Sequence, residues 1–217
     1  MWCASLDLDV PTFEDLARHL SDEEWERAGR FHFRYDAIRF AVSRAVLRVG
    51  LAECLGVEPS QVVFRRGRYG RPELAPPLDR SRLRFSASRS QGLGLYAVTR
   101  GRRIGVDVER VRPLPDLDAI AECVFSDDER RRLRRLPPAE RLEGFFNCWT
   151  RKEAYLKAIG TGLAGSPARF TVSLAPGTPV RLEYAEGDPD APARWTLEVP
   201  KVGLGWVGAI AVETGTA

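Results

Sequence analysis

Lysine is nearly missing from this chain: of 33 basic residues 30 are arginine, and the three lysines are Lys152, Lys157 and Lys201. Methionine occurs once and histidine only at His19 and His32, which leaves little material for a histidine-rich metal cage or a histidine-dependent triad. The four cysteines, Cys3, Cys54, Cys123 and Cys148, have no Cys-x-x-Cys or other ligand spacing, so they read as reduced thiols acting as small core residues. No run of 18 apolar residues occurs, and aspartates break the first ten residues where a secretory leader needs an apolar stretch. The expectation is a cytoplasmic protein with no membrane partner. Low-complexity segments are absent too. What remains, 44% apolar and 29% charged residues, is the composition of a soluble globular protein, and a net charge of +3 is too small to call for nucleic acid. Arginine in place of lysine fits a GC-rich coding bias, which makes the surviving lysines informative.

Two of them flank Glu153 in WTRKEAYLKAIG, Trp149 to Gly160. Leu142, Phe145, Phe146, Trp149, Leu156 and Ile159 recur at three- and four-residue steps, the stripe of a core-facing helix. Glu153 stands one turn after Trp149, inside that stripe, where a carboxylate needs a cation or a raised pKa. Lys157, at i+4, borders the stripe on the same side and Lys152 borders the other edge. The segment reads either as a helix-surface ion pair beside a core helix or as an acid and up to two ammonium groups aimed into an enclosed site.

The rest of the chain predicts an α+β protein. A half-buried strand is expected over residues 4 to 10, then two short helices, the second opened by a capping box of Ser21 with Glu24. A long helix from about Tyr35 to Leu55 ends at Gly56, followed by strands near Val62–Phe64, Leu83–Ala87, Leu93–Val98 and Ile104–Val108. The second part repeats the plan: helices near 116–124, 127–135 and 139–159, and strands near 169–174, 179–184, 194–199 and 205–213, with Gly187–Arg194 as a surface loop. This predicts two similar halves, each a helix with an antiparallel sheet, related by a pseudo-twofold axis with the active site between them. The halves are residues 1–102 and 103–217, with a linker near Thr99–Arg103. Trp2, Trp195, Trp206, Phe145 and Trp149 are expected in the core.

On a strand, Asp107 and Glu109 of IGVDVE share one face, a pattern that any edge strand can show. Together with Glu153 they make three carboxylates, which suit a hard cation such as Mg²⁺, open to phosphate oxygens. Lys157 beside them would neutralise a further phosphate, so the expected ligand is a pyrophosphate and the expected chemistry displacement at phosphorus.

GVDVE, followed some forty residues later by WTRKEAYLKAIGTGL, resembles the GxDxE and WxxKEA motifs of the 4′-phosphopantetheinyl transferases. RYGRPEL from Arg68 to Leu74 is similar to that family's G-K-P segment, FSASRS from Phe85 to Ser90 to its FNxSHS segment, and RFHFRYDAIRF adds to the correspondence, which spans most of residues 27 to 165 in order. The length resembles the large monomeric type of two fused halves, which commonly serves polyketide and nonribosomal peptide assembly lines. The resemblance implies transfer of the phosphopantetheine arm of coenzyme A, the co-substrate, to a serine of an apo acyl or peptidyl carrier protein, with release of 3′,5′-ADP. It implies Asp107, Glu109 and Glu153 as Mg²⁺ ligands, Glu153 also activating the serine, and Lys157 contacting pyrophosphate. Lys152 would frame the site or meet the pantetheine arm. The nucleotide end would be held by Arg27, Arg39, Arg71, Ser88 and Arg89 of the first half.

The chain departs from the family pattern at Arg71 for lysine, at Arg89 for histidine and at Ser86 for asparagine. The two arginines keep or add positive charge and offer bidentate phosphate contacts. Two further readings use the same residues: a Mg²⁺-dependent phosphodiester hydrolase, and a silent module that binds coenzyme A or a carrier without transfer. The arginine run Arg130, Arg131, Arg132, Arg134 and Arg135, flanked by acids, reads as a solvated helix face, and Glu129 as the third residue of a capping box begun by Ser126.

Overall fold

In the computed structural model, which describes residues 1–67, 70–162 and 166–214, two helices of 22 residues organise the chain. They are α3 (Arg34–Leu55) and α6 (Pro138–Ile159), each stopped by a glycine in the left-handed region, Gly56 at φ 68° and Gly160 at φ 75°. Only glycine reaches that conformation without penalty, so both stops are written in the sequence. The chain divides into two units, Met1–Gly101 and Arg102–Ala217.

The first unit runs β1 (Trp2–Ser5), α1 (Val10–Ala17), α2 (Asp22–Gly29), α3, β2 (Phe64–Arg66), β3 (Pro72–Leu74), β4 (Leu83–Ser90) and β5 (Leu93–Arg100). The second runs β6 (Ile104–Arg110), α4 (Leu117–Val124), α5 (Asp127–Arg135), α6, β7 (Phe170–Val172), β8 (Leu182–Ala185), α7 (Ala191–Arg194), β9 (Trp195–Glu198) and β10 (Trp206–Glu213). Apart from the single turn of α7, both follow the same order of one strand, three helices and four strands. The sheets repeat as well: β1-β5-β4 in one and β6-β10-β9 in the other, all neighbours antiparallel, each unit adding a two-stranded ribbon, β2-β3 and β7-β8. Thus the expected α+β class and helix-plus-sheet repeat are present.

Local differences have local causes. The strand expected over residues 4 to 10 ends at Ser5, because Asp9 turns its carboxylate to the Thr12 amide (3.0 Å) and caps α1, while Leu6 is fully buried beside the sheet. β3 escaped notice, being three residues that begin on a proline. The expected loop Gly187–Arg194 closes into α7, which buries Ala191 and leads into the buried Trp195. Of the four cysteines, all free, only Cys148 is a core residue, with Cys3 and Cys123 exposed. Trp2, Trp149 and Trp206 are only partly buried. No helix among the described residues is long and apolar enough to cross a membrane.

Strand and helix meet tightly in both units, by opposite means. In the first, Gly50 of α3 makes room for the Trp2 ring, which stacks on Tyr96 with centroids 5.4 Å apart. In the second, the strand gives way: a methyl group on Gly105 would overlap the Ala154 carbonyl oxygen and stand 2.5 Å from the Ala158 nitrogen. Those neighbours are backbone and cannot rotate aside. Gly105→Ala is therefore expected to cost about 1–3 kcal/mol through overpacking, lowering Tm by roughly 2–4 °C for each kcal/mol in a protein of this size. An unchanged melting curve would show that the crossing is not tight.

Candidate active site

The close approach at Gly105 puts the same face of β6 against α6. Two and four residues on, with the period of a strand, that face carries Asp107 and Glu109. β6 is an edge strand of its sheet, paired with β10 so that Asp107 faces Ala209 and Glu109 faces Val207. From α6 come Glu153 and Lys157, one turn apart. Lys157 Nζ donates to Asp107 Oδ1 at 2.7 Å, with Asp107 buried and Lys157 30% exposed. Glu153 is half-buried, and its pKa is raised, first by desolvation and then by the charges of Asp107 and Glu109, with Lys157 opposing. The three expected carboxylates thus share one electrostatic environment, and the lysine sits among them on Asp107.

Among the described residues, no three His, Cys, Asp or Glu side chains form a ready-made metal cage. Three like charges brought together repel, and the Lys157 ammonium draws Asp107 to itself. The donor set nevertheless fits Mg²⁺, which takes hard oxygens, keeps several waters and is held by a few carboxylates plus substrate phosphates rather than by a closed protein cage.

Lys152 has a different fate from the one the sequence suggested. It is 2% exposed, and its three donors go to Pro167 O (2.8 Å), Phe170 O (2.6 Å) and Glu129 Oε2 (2.8 Å), with the ammonium 4.2 Å from the Phe170 ring centre. An ammonium has only three N–H groups, so the structure uses Lys152 inside the fold and leaves no donor to reach the acids or a ligand. Glu129, fully buried, closes the capping box with Ser126 and accepts from the Val172 amide at 2.8 Å. Burial raises its pKa against the pull of Lys152. This pair ties α5, α6 and β7 together; the capping box was legible, its buried partner was not.

In the first unit, Arg27 lies over the Phe40 ring at 5.2 Å, and Arg89 over Phe31 and Phe40 at 5.6 and 5.5 Å. Both guanidiniums therefore gather around one aromatic pair. Arg71 donates to the Phe85 carbonyl of β4, and its pKa is lowered chiefly by desolvation. Ser88 stands on β4 opposite Leu95. Arg39 is held elsewhere, by both oxygens of Asp7 at 2.7 and 3.0 Å. Arg68, Tyr69 and Leu163 of the sequence motifs lie outside the described residues. Arg30 and Arg66, not among the residues expected from sequence, line with Arg27, Phe31 and Gly70 a depression of about 480 Å³. Arg30 follows Arg27 by one helical turn, a spacing that was readable; Arg66 arrives on β2 and was not. Four of the five arginines of the α5 run are paired locally, Arg130 (2.7 Å) and Arg134 on Glu122, Arg131 on Asp128 (3.2 Å) and Arg132 on Glu183 (2.6 Å).

Residues 103–211 match the family model of the 4′-phosphopantetheinyl transferase superfamily, and residues 9–100 match that of a 4′-phosphopantetheinyl transferase N-terminal region. The chain is 41% identical over 185 residues to the 4′-phosphopantetheinyl transferase HetI of Nostoc sp., covering 85% of this chain and 78% of that one. It is 29% identical over 168 residues to a 4′-phosphopantetheinyl transferase of Bacillus subtilis (77% and 72%). It is 27% identical over 173 residues to the transferase Sfp of Bacillus subtilis strain 168 (80% and 75%).

The Glu153 environment gives a stability test. A carboxyl whose pKa is raised on folding favours the neutral form, so stability is lost as pH rises through the folded-state value. Glu153→Gln removes that loss. Without added metal, the variant should melt above the wild type at pH 8, the gap narrowing as the pH falls toward 5. A wild type that melts higher at pH 8 would show that Glu153 is stabilised as an anion.

Proposed function

Because the chain belongs to the 4′-phosphopantetheinyl transferase superfamily, we propose that it transfers the phosphopantetheine arm of coenzyme A to a serine of an acyl or peptidyl carrier protein, releasing 3′,5′-ADP. The observation that carries the reading is the meeting of Asp107 and Glu109 on β6 with Glu153 and Lys157 on α6. Asp107, Glu109 and Glu153 would hold Mg²⁺, which when bound offsets charge on pyrophosphate oxygens. Lys157 adds a cation on the same face for the second phosphate.

The serine oxygen forms the new bond to the phosphorus that bears pantetheine. The bridging bond of the pyrophosphate breaks, and 3′,5′-ADP leaves with the electron pair. The serine proton passes to Glu153, directly or through a water, and desolvation makes that carboxylate a stronger base than a solvated one. The nucleotide would bind the first unit. Arg27, Arg89 and Arg71 there supply guanidiniums, Ser88 a hydroxyl, and Arg30 and Arg66 extend the positive depression. Arg39 joins them only by leaving Asp7. A monomeric cytoplasmic enzyme serving polyketide or nonribosomal peptide carriers is the setting that this assignment fits.

Incubation with an apo carrier protein, coenzyme A and Mg²⁺ should add one phosphopantetheine to the carrier by intact mass. Glu153→Gln should reduce transfer by at least about a hundredfold, the lower end of what general-base catalysis supplies, with the fold intact. No mass gain across several carriers and no Mg²⁺-dependent coenzyme A binding would overturn the reading, while phosphodiester hydrolysis without need for coenzyme A would favour a hydrolase. Arg89→Ala should raise the coenzyme A KM about tenfold or more and leave kcat nearly unchanged, the mark of lost ground-state binding. An unchanged KM would remove Arg89 from the phosphate site.

A further inference from the structure

A transferase whose acceptor is another protein must seat that protein on the rim of its acidic site, so the surface at the open end of β6 bears on recognition. β6 ends Asp107, Val108, Glu109, Arg110, and its partner β10 begins at Trp206 opposite Arg110. The connection between β9 and β10, residues 199–205, therefore projects just beyond Glu109, about 10 Å away along the strand at 3.3 Å per residue. At its tip Leu204 is 98% exposed, the most exposed of the large apolar residues described. It stands between Gly203 at φ 91° and Gly205 at φ 76°, a backbone course that side chains rarely take.

The presentation is braced. Arg110 Nη1 donates to the Leu204 carbonyl at 3.3 Å, the Val111 amide donates to the Gly205 carbonyl at 2.9 Å, and the Arg110 guanidinium lies 5.2 Å from the Trp206 ring centre. A Cβ on Gly205 would stand 2.8 Å from Arg110 Nη1. An apolar side chain held out by such a turn costs solvent-exposed surface that a tighter hairpin would avoid. Val199, 54% exposed, widens the apolar face at the base of the same connection.

Its surroundings are positive. Lys201 is the only charged residue in the connection, which follows the exposed Glu198; Arg110 ends β6 and Arg112 lies two residues beyond it. Arg112 is exposed, donates to the Arg110 carbonyl at 3.3 Å and lies 3.7 Å from Glu109. An apolar point braced by Arg110, with Lys201 in the same connection, complements an acidic amphipathic surface and repels a basic one.

Resting on the transferase reading above, we infer that the β9–β10 connection, with Leu204 at its tip and Arg110, Arg112 and Lys201 around it, is a docking surface for the acceptor carrier protein, which meets it with an acidic face bearing an apolar pocket. Leu204 supplies the buried anchor and the cations set the approach. Leu204 and Lys201 are not among the residues assigned to the metal or the coenzyme, whereas Arg112 lies 3.7 Å from Glu109, so Leu204 gives the cleaner test.

The test is steady-state transfer to an apo peptidyl carrier protein that the wild type modifies, with KM for the carrier and for coenzyme A measured separately. Leu204→Asp should raise the carrier KM about tenfold, roughly the 1.4 kcal/mol of a modest anchor, leaving the coenzyme A KM and the melting temperature at wild-type values. Lys201→Glu should raise the carrier KM less, and the difference should shrink in high salt. Wild-type carrier KM in both variants overturns the surface while the transferase reading stands. A wild type that modifies no carrier overturns that reading and the surface with it. Loss of affinity for a nucleic acid or an anionic vesicle, with the carrier KM unmoved, would assign the surface to a different partner.

Discussion

The contact of β6 with α6 through the missing side chain of Gly105 is the constraint on which the candidate site depends. Backbone approaches backbone there, and the periodicities of the two elements place the functional groups: steps of two along the strand bring Asp107 and Glu109, and a step of four along the helix brings Glu153 and Lys157. A larger residue at 105 would open the angle and part the acids from the lysine. The site is thus set by packing first and by charge second. Its charges are arranged at a cost, since three carboxylates repel and one of them is driven toward its neutral form.

The repeat gives an internal control. Aligned by their terminal glycines, α3 and α6 are offset by 104 residues (160 − 56), so Val49 occupies the place of Glu153 and Glu53 that of Lys157. The first unit has the scaffold without the chemistry. It gathers arginines around two rings: Arg44 and Arg48 on Phe64, Arg27 and Arg89 on Phe40. One plan thus carries an acidic cluster on β6 and α6 in the second unit and an arginine cluster in the first.

Elements were legible where local physics decided them. The capping boxes at Ser21 and Ser126, the terminal glycines and the 3.6-residue stripe of α6 are short-range signals, and the helices lie within a residue or two of their expected ends. β1 was misread because the alternation of residues 4 to 10 competes with Asp9 as a helix cap, and the cap wins. Within the site, Asp107, Glu109, Glu153 and Lys157 could be named, but not that Lys157 bonds Asp107, fifty positions away, in preference to its helical neighbour. Lys152, expected to frame the site or meet the pantetheine arm, turns inward for the same reason: its acceptors are an acid 23 residues earlier and two backbone carbonyls, and carbonyls leave no trace in a sequence.

That buried ammonium makes one region indivisible. Glu129 serves at once as the reciprocal cap of α5, the acceptor for a β7 amide and the counter-ion of Lys152, while Lys152 holds the backbone on either side of Arg169. A buried charge deprived of its partner costs far more than the intact pair contributes. Segments from a relative can therefore be grafted freely at the exposed hairpins, but Ser126, Glu129, Lys152 and residues 167–172 must travel as a single cassette. A chimaera joined anywhere between positions 129 and 152 inherits half of a charge pair unless both parents carry it, so the natural seams for recombination lie outside this block.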